Sequence, residues 1–245
     1  KVGCTQAERA RYIACVAELL GSPVCSNTVK IEAAGTLLAL SGAPSSVKSA
    51  ALAYIDLLVN ESDNNVKLVV LGRVAEVARR YAFVMQDVVM DLLRALTCPV
   101  LDVRRMTLAI ALDLVAEKNV ADVVAFLKRE LARSLAAPAY RQLVVQAIHQ
   151  CAVRFPVVAA DVVHVLMDYI QDPEVTAAPA GGNASAAAAT SSYDVIAFVR
   201  EAVEKYPALR AGIIARLADS LPRIRSSKVF RAALWVLGEY AESPR

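Results

Sequence analysis

Residues 64–77, NNVKLVVLGRVAEV, decide the fold. Val66, Val70, Leu71, Val74 and Val77 recur at steps of three and four, the period of an amphipathic helix, and Asp63-Asn64-Asn65 supplies N-cap chemistry ahead of it. The same opening occurs in NTVKIEAAGTLLAL (27–40), LDVRRMTLAIALDL (101–114) and PAYRQLVVQAIHQC (138–151). Each carries an apolar residue followed by a cation. These pairs are Val29-Lys30, Val66-Lys67, Val103-Arg104 and Tyr140-Arg141, each 37 residues from the next. So regular a period marks a repeat architecture.

A second series lies between these helices. Asp-Val-Val occurs at Asp87, Asp122 and Asp161, spaced 35 and 39 residues and so averaging the same period. The repeat unit is therefore two helices, one of each series. Ser41-Gly42 with Pro44, and Pro99, Pro138, Pro156, Asp172-Pro173, Pro207 and Pro222, all fall between periodic segments, where proline stops or starts a helix. Such a pair cannot bury its apolar face alone and must stack on its neighbours. The expected fold is an all-α solenoid of the HEAT or armadillo type, about six helix pairs forming one trunk over 1–245. The tetratricopeptide repeat is the rival, but its W-x-x-L-G-x-x-Y pattern is missing.

Residues 176–192, TAAPAGGNASAAAATSS, interrupt the register. They lack large apolar side chains to offset the entropy of ordering, and predict a flexible low-complexity loop. Arg154-Phe155-Pro156 matches Lys205-Tyr206-Pro207 at a separation of 51, so removing about 15 residues restores the repeat and the solenoid continues beyond the loop.

Composition agrees. Hydrophobic residues are 57% of the 245 and aromatics 6%, so the core is filled by small and branched side chains suited to closely spaced helices. Lys and Arg number 27 against 24 Asp and Glu, a formal net charge of +3. That is far from the basic excess of a phosphate-neutralising protein and argues against nucleic acid as the main partner. Neither a G-x-G nor a G-x-x-x-x-G-K occurs, which argues against nucleotide-loop chemistry and a cofactor of that kind. The longest charge-free stretch, residues 175–193, is too polar to cross a bilayer. Five cysteines without a C-x-x-C predict reduced cytosolic thiols. The opening at Lys1, running at once into a helical pattern, reads as a fragment of something longer.

The titratable residues suggest surfaces more than chemistry. His149 and His164 stand alone in apolar helical runs, without the four converging ligands of structural zinc, and no G-x-S-x-G elbow is present. No catalytic, metal or cofactor residue is expected, and no small-molecule substrate. Lys30, Lys67, Arg104 and Arg141 should align on one ridge, either pairing with acids such as Asp63 or Asp102 as a ladder between repeats or lining a groove for an anionic partner. Near a helix N-terminus a cation meets an unfavourable dipole, so a compensating group is expected. A second basic cluster, Arg223, Arg225, Lys228 and Arg231 with Arg210 and Arg216 upstream, suits an acidic partner surface, anionic lipid, or plain solvation.

Several strings go further than a generic repeat. ESDNNVKLVVLGRV (61–74), KIEAAGTLLALSGAP (30–44), YIDLLVNESDNNVK (54–67), LDVRRMTLAIALDLV (101–115), AIHQCAVRFP (147–156) and RAALWVLGEY (231–240) closely resemble the trunk of the coatomer beta-subunit family, an adaptin-like lineage. The resemblance spans nearly the whole chain and fails only in the low-complexity insertion. It implies a cytoplasmic, non-enzymatic part of the COPI coat, peripheral on Golgi membranes and vesicles. It also implies partners: the delta, gamma and zeta coat subunits, and an Arf-type small GTPase for the full-length protein. The resemblance places the GTPase contact among earlier trunk helices, and it is transferred to no residue here. The alternative is a HEAT-repeat transport receptor or phosphatase scaffold.

Overall fold

The computed structural model describes residues 5–134, 137–171, 184–224 and 227–240, and among them only helices and turns occur. The chain divides into two compact units, Lys1–Asn119 and Val120–Arg245.

The first unit contains α1 (Gln6–Gly21), α2 (Asn27–Leu40), α3 (Pro44–Asn60), α4 (Asn64–Arg80), α5 (Ala82–Met85), α6 (Val89–Leu93), a 3-10 turn (Arg94–Thr97) and α7 (Leu101–Leu114). Helices α2, α4 and α7 are the 37-residue series. Ser26 and Asp63 cap α2 and α4 through their side chains, and Pro44 takes the first position of α3, where its missing N–H costs nothing. Helix α3 lies behind α2 and α4, burying Val47, Ala50, Ala51, Tyr54, Ile55 and Leu58. Where the intervening helix of the next repeat belongs, the chain is broken into α5, α6 and the 3-10 turn. No Pro or Gly marks the break. Val88, Val89, Leu92, Leu93, Ala95 and Leu96 are all buried along it.

The second unit contains α8 (Val120–Arg133), α9 (Pro138–Arg154), α10 (Pro156–Gln171), α11 (Ala184–Lys205), α12 (Arg210–Ser220) and α13 (Ser227–Tyr240). Helix α9 packs on α8, α10 and α11, and α11 packs in turn on α13. The core runs through Val144, Ile148, Ala152, Val162, Phe198, Val199, Leu217 and Ala233. The matched tripeptides occupy matched corners. Phe155 and Tyr206 each leave their helix with φ −123°, and each N–H closes the last turn, to Cys151 and Ala202 respectively.

The low-complexity segment differs from expectation. Residues 176–183 lie outside the described residues, but 184–192 form the opening turns of α11 rather than loop. Alanine loses no side-chain entropy in a helix and has the best propensity for it. Val195, Ile196, Phe198 and Val199 are buried, so this anchored half supplies the costly nucleus and the alanines extend it cheaply.

Candidate protein-interaction surface

The basic column is the sharpest correction. Lys30, Lys67, Arg104 and Arg141 each occupy the fourth position of their helices, and their backbone N–H groups bond the carbonyls of Ser26, Asp63, Val100 and Ala137 at 2.9–3.1 Å. The register is thus reproduced four times. The side chains form no exposed ridge, however, because Lys67 and Arg141 are both only 8% exposed. Helical side chains lean back toward the N-terminus, which carries a fourth-position cation over the entry turn and into packed structure.

The anticipated acids are engaged elsewhere. Asp63 accepts from the N–H of Asn65 at 2.8 Å, and Asp102 pairs with Arg105 at 3.4 Å. Lys67 Nζ instead donates to Cys98 Sγ at 3.7 Å, while Arg104 Nε donates to the Cys98 carbonyl at 2.5 Å. Both cations converge on the turn before α7.

That turn position has a counterpart one repeat earlier. Glu61 lies 37 residues before Cys98, as Asn27 lies before Asn64. Asn27 Nδ2 donates to Glu61 Oε2 at 2.7 Å, and the Cys98 thiol reaches Asn64 Oδ1 at 3.9 Å. Asn27, then the Ser62 and Asp63 N–H groups, hold the Glu61 carboxyl below the usual carboxylate range. The same inter-repeat position therefore holds an acid in one repeat and a thiol in the next.

In the first unit α4 packs directly on α7, whereas α2 and α4 scarcely touch. The gap is a groove of about 400 Å³ lined by Glu32, Gly35, Tyr54, Arg73, Glu76 and Arg80, among others. Tyr54 forms its floor and donates its hydroxyl to the Ile31 carbonyl at 3.3 Å. Burial pushes that phenol up, against the opposing field of Arg73, and Glu32 and Glu76 add to the rise.

The other singled-out residues scatter. Asp122 lies in the first turn of α8, but Asp87 precedes α6 and Asp161 sits inside α10, so the three share no helix position. What repeats in Asp-Val-Val is burial, since all six valines are at most 3% exposed. Asp87 pairs with Lys118 at 2.6 Å. The Lys118 hydrogen bond and charge hold its carboxyl low. His149 Nε2 lies 3.6 Å from Glu201, and its ring sits 4.7 Å from Phe198. Glu201 is too distant in sequence to be paired with it by spacing. Among the described residues no three His, Cys, Asp or Glu side chains converge as a metal site. The side chain of His164 lies outside the described residues.

In the second basic cluster, Arg223 ends a 3-10 turn and Arg231 is exposed on α13, its Nε donating to the Ser227 carbonyl at 3.3 Å. Arg216 is exposed on α12. Arg210 lies over the Tyr240 ring at 5.8 Å. Arg225 and the side chain of Lys228 lie outside the described residues. Sequence reasoning passed over Trp235, 51% exposed on α13, with Arg200 over its ring at 5.6 Å and Tyr240 edge-on at 6.3 Å. Among the described residues no helix is long and apolar enough to cross a membrane.

Comparison with known proteins bears on this architecture directly. The sequence profile of the adaptin N terminal region matches residues 3–244. Coatomer subunit beta of Drosophila melanogaster is 48% identical over 243 residues, which is 96% of this chain. Coatomer subunit beta-2 of Oryza sativa subsp. japonica is 46% identical over 97% of the chain, and coatomer subunit beta of Rattus norvegicus 46% over 96%. The chain spans 24% of the length of each of these relatives.

Proposed function

The chain belongs to the adaptin N-terminal family, and on that premise we propose that it is a stretch of vesicle-coat trunk, a non-enzymatic scaffold of the COPI coat acting through protein–protein surfaces. The observation that carries this reading is identity of 48% sustained across 96% of the chain to a coatomer beta subunit. Identity so continuous covers every repeat rather than one motif. In this reading the two units are successive stretches of a single trunk over 1–245. The full-length protein works at the cytoplasmic face of Golgi membranes and on COPI vesicles, with the delta, gamma and zeta subunits as partners and an Arf-type GTPase as recruiter.

Burial removes Lys67 and Arg141 from any list of partner contacts. The contact surface is assigned instead to the second basic cluster, where exposed Arg231, with Arg223, Arg225 and Lys228, meets an acidic face of a partner subunit. Rim cations of this kind steer association and set its salt dependence.

Residues 1–245 used as bait in cytosol, with captured proteins identified by mass spectrometry, test the reading. Enrichment of delta, gamma or zeta coat subunits is expected, reduced by Arg231→Glu and by raised salt. Enrichment of nuclear cargo or a phosphatase subunit in their place would overturn it and leave the helical repeat standing alone.

A further inference from the structure

Lys67 and Cys98 present an arrangement that scaffolding does not require. The register that sets Asn27 against Glu61 sets Asn64 against Cys98, so Lys67 meets a thiol where the preceding repeat offers a carboxylate. Both side chains are more than nine-tenths enclosed, at 8% and 6% exposed. Nζ and Sγ are 3.7 Å apart, a separation that a rotamer change of the flexible lysine stem can close. The Cys98 thiol also reaches Asn64 Oδ1 at 3.9 Å, a second contact that limits where it can turn.

We propose that Lys67 and Cys98 are an oxidative cross-linking site, where a peroxide converts the amine–thiol pair into a covalent S–N (sulfenamide) bond joining α4 to the turn before α7. In the first step the Cys98 sulfur attacks hydrogen peroxide, the O–O bond breaks, and the products are a sulfenic acid and one water. Sulfur loses two electrons and the peroxide gains them. In the second step Lys67 gives its extra proton to solvent and the neutral Nζ attacks sulfur. The S–O bond breaks, and the departing hydroxide takes a proton from nitrogen to leave as a second water. No further oxidant is needed. The enclosure that slows a bulky thiol reagent does not bar peroxide, and it keeps the sulfenic acid away from other thiols while the amine waits beside it. Exposed Cys15 serves as the reference thiol for peroxide access.

The test is peptide mapping of the purified chain after treatment with hydrogen peroxide, digested with trypsin without reductant. A modified Lys67 is no longer cleaved, so residues 49–73 stay whole and emerge joined to residues 95–104. The joined species should be two hydrogen atoms lighter than its parts and should separate on treatment with dithiothreitol. Lys67→Arg keeps a cation but supplies a poor nucleophile. In that variant the linked species should fall to background, with residues 95–104 recovered carrying sulfinic acid. Cys98→Ser should remove the linked species without loss of helix by circular dichroism. Recovery of residues 95–104 from the unsubstituted chain only as free thiol, sulfinic or sulfonic acid, at peroxide doses that oxidise Cys15, would overturn the proposal.

Discussion

Asn119 is 8% exposed and ties together the loose ends of the first unit. Its Oδ1 accepts from the N–H of Ala116 at 2.8 Å, and its Nδ2 donates to the carbonyls of Gln86 at 3.1 Å and Leu114 at 3.4 Å. Leu114 ends α7, and Gln86 caps α5 at the break before α6. Without Asn119 both carbonyls would lose this shared donor. Asn119→Ala deletes two good bonds and one long one and leaves one donor and two acceptors stranded. At about 1 kcal/mol for each good bond, and a further desolvation cost for the stranded groups, the loss is about 2–3 kcal/mol. In urea, with a slope of about 1–3 kcal/mol per molar, the midpoint should fall by roughly 1 M. Asn119→Asp separates this account from simple loss of volume. It keeps the bond to Ala116 but turns a carboxylate oxygen toward two carbonyls, and should be at least as damaging as alanine at neutral pH. Because those carbonyls favour the protonated acid, its folded-state pKa is raised. Its deficit relative to the unsubstituted chain is therefore smallest below the ordinary carboxylate range and grows as pH rises through the folded pKa. Urea titrations followed by far-UV circular dichroism at several pH values decide the matter. Two variants of equal stability at all pH values, or an alanine variant within about 0.5 kcal/mol of the parent, would refute the reasoning.

The Asp87 carboxyl, held low by Lys118, should move back toward the ordinary range in Lys118→Met, followed by carbon NMR. Its contribution to stability is present above the unfolded pKa and disappears as pH falls through the lower folded value. Burial pushes the Cys151 thiol up to about 11, with Arg154 opposing, so native protein at pH 8 should be alkylated at Cys15 long before Cys151. The same shift gives stability that is complete below pH 9, the thiol's ordinary value, and is lost as pH rises toward about 11. Lys67→Met should change stability by no more than about 1 kcal/mol, because a buried charge is exchanged for an apolar stem of similar length. Arg231→Ala should leave the urea midpoint unmoved and weaken capture of coat subunits.

Helix placement was legible because two independent signals coincide at three of the four starts in the series, α7 having only the second. Ser26 and Asp63 are side-chain caps, Pro138 is a first-turn residue, and the apolar–cation pair follows at a fixed offset. The insertion's length was legible too, through Phe155 and Tyr206 taking the same corner. Its conformation was not, since composition argues loop or helix for an alanine run according to whether a packed segment follows it. The broken helix over 82–97 had no signal at all. No Pro or Gly marks it, and the carbonyl freed at Gln86 is satisfied by Asn119 from 33 residues away. His149 and Glu201 are 52 residues apart, so no local spacing brings them together.

The basic column was legible as a pattern and illegible as a surface, and the reason is geometric. A residue recurring once per repeat is equally what a long binding face and a repeat-to-repeat brace would display. The discriminating quantity is burial, which the pattern alone does not give. At the fourth helical position the Cα–Cβ bond points back along the axis, and Lys67 therefore reaches the entry turn of the following repeat and Arg104 its own. Arg231, the fifth residue of α13, also leans over its entry turn, donating to the Ser227 carbonyl, yet it is exposed. Burial, more than charge, periodicity or position within the helix, separates Lys67 and Arg141 from the exposed Arg231.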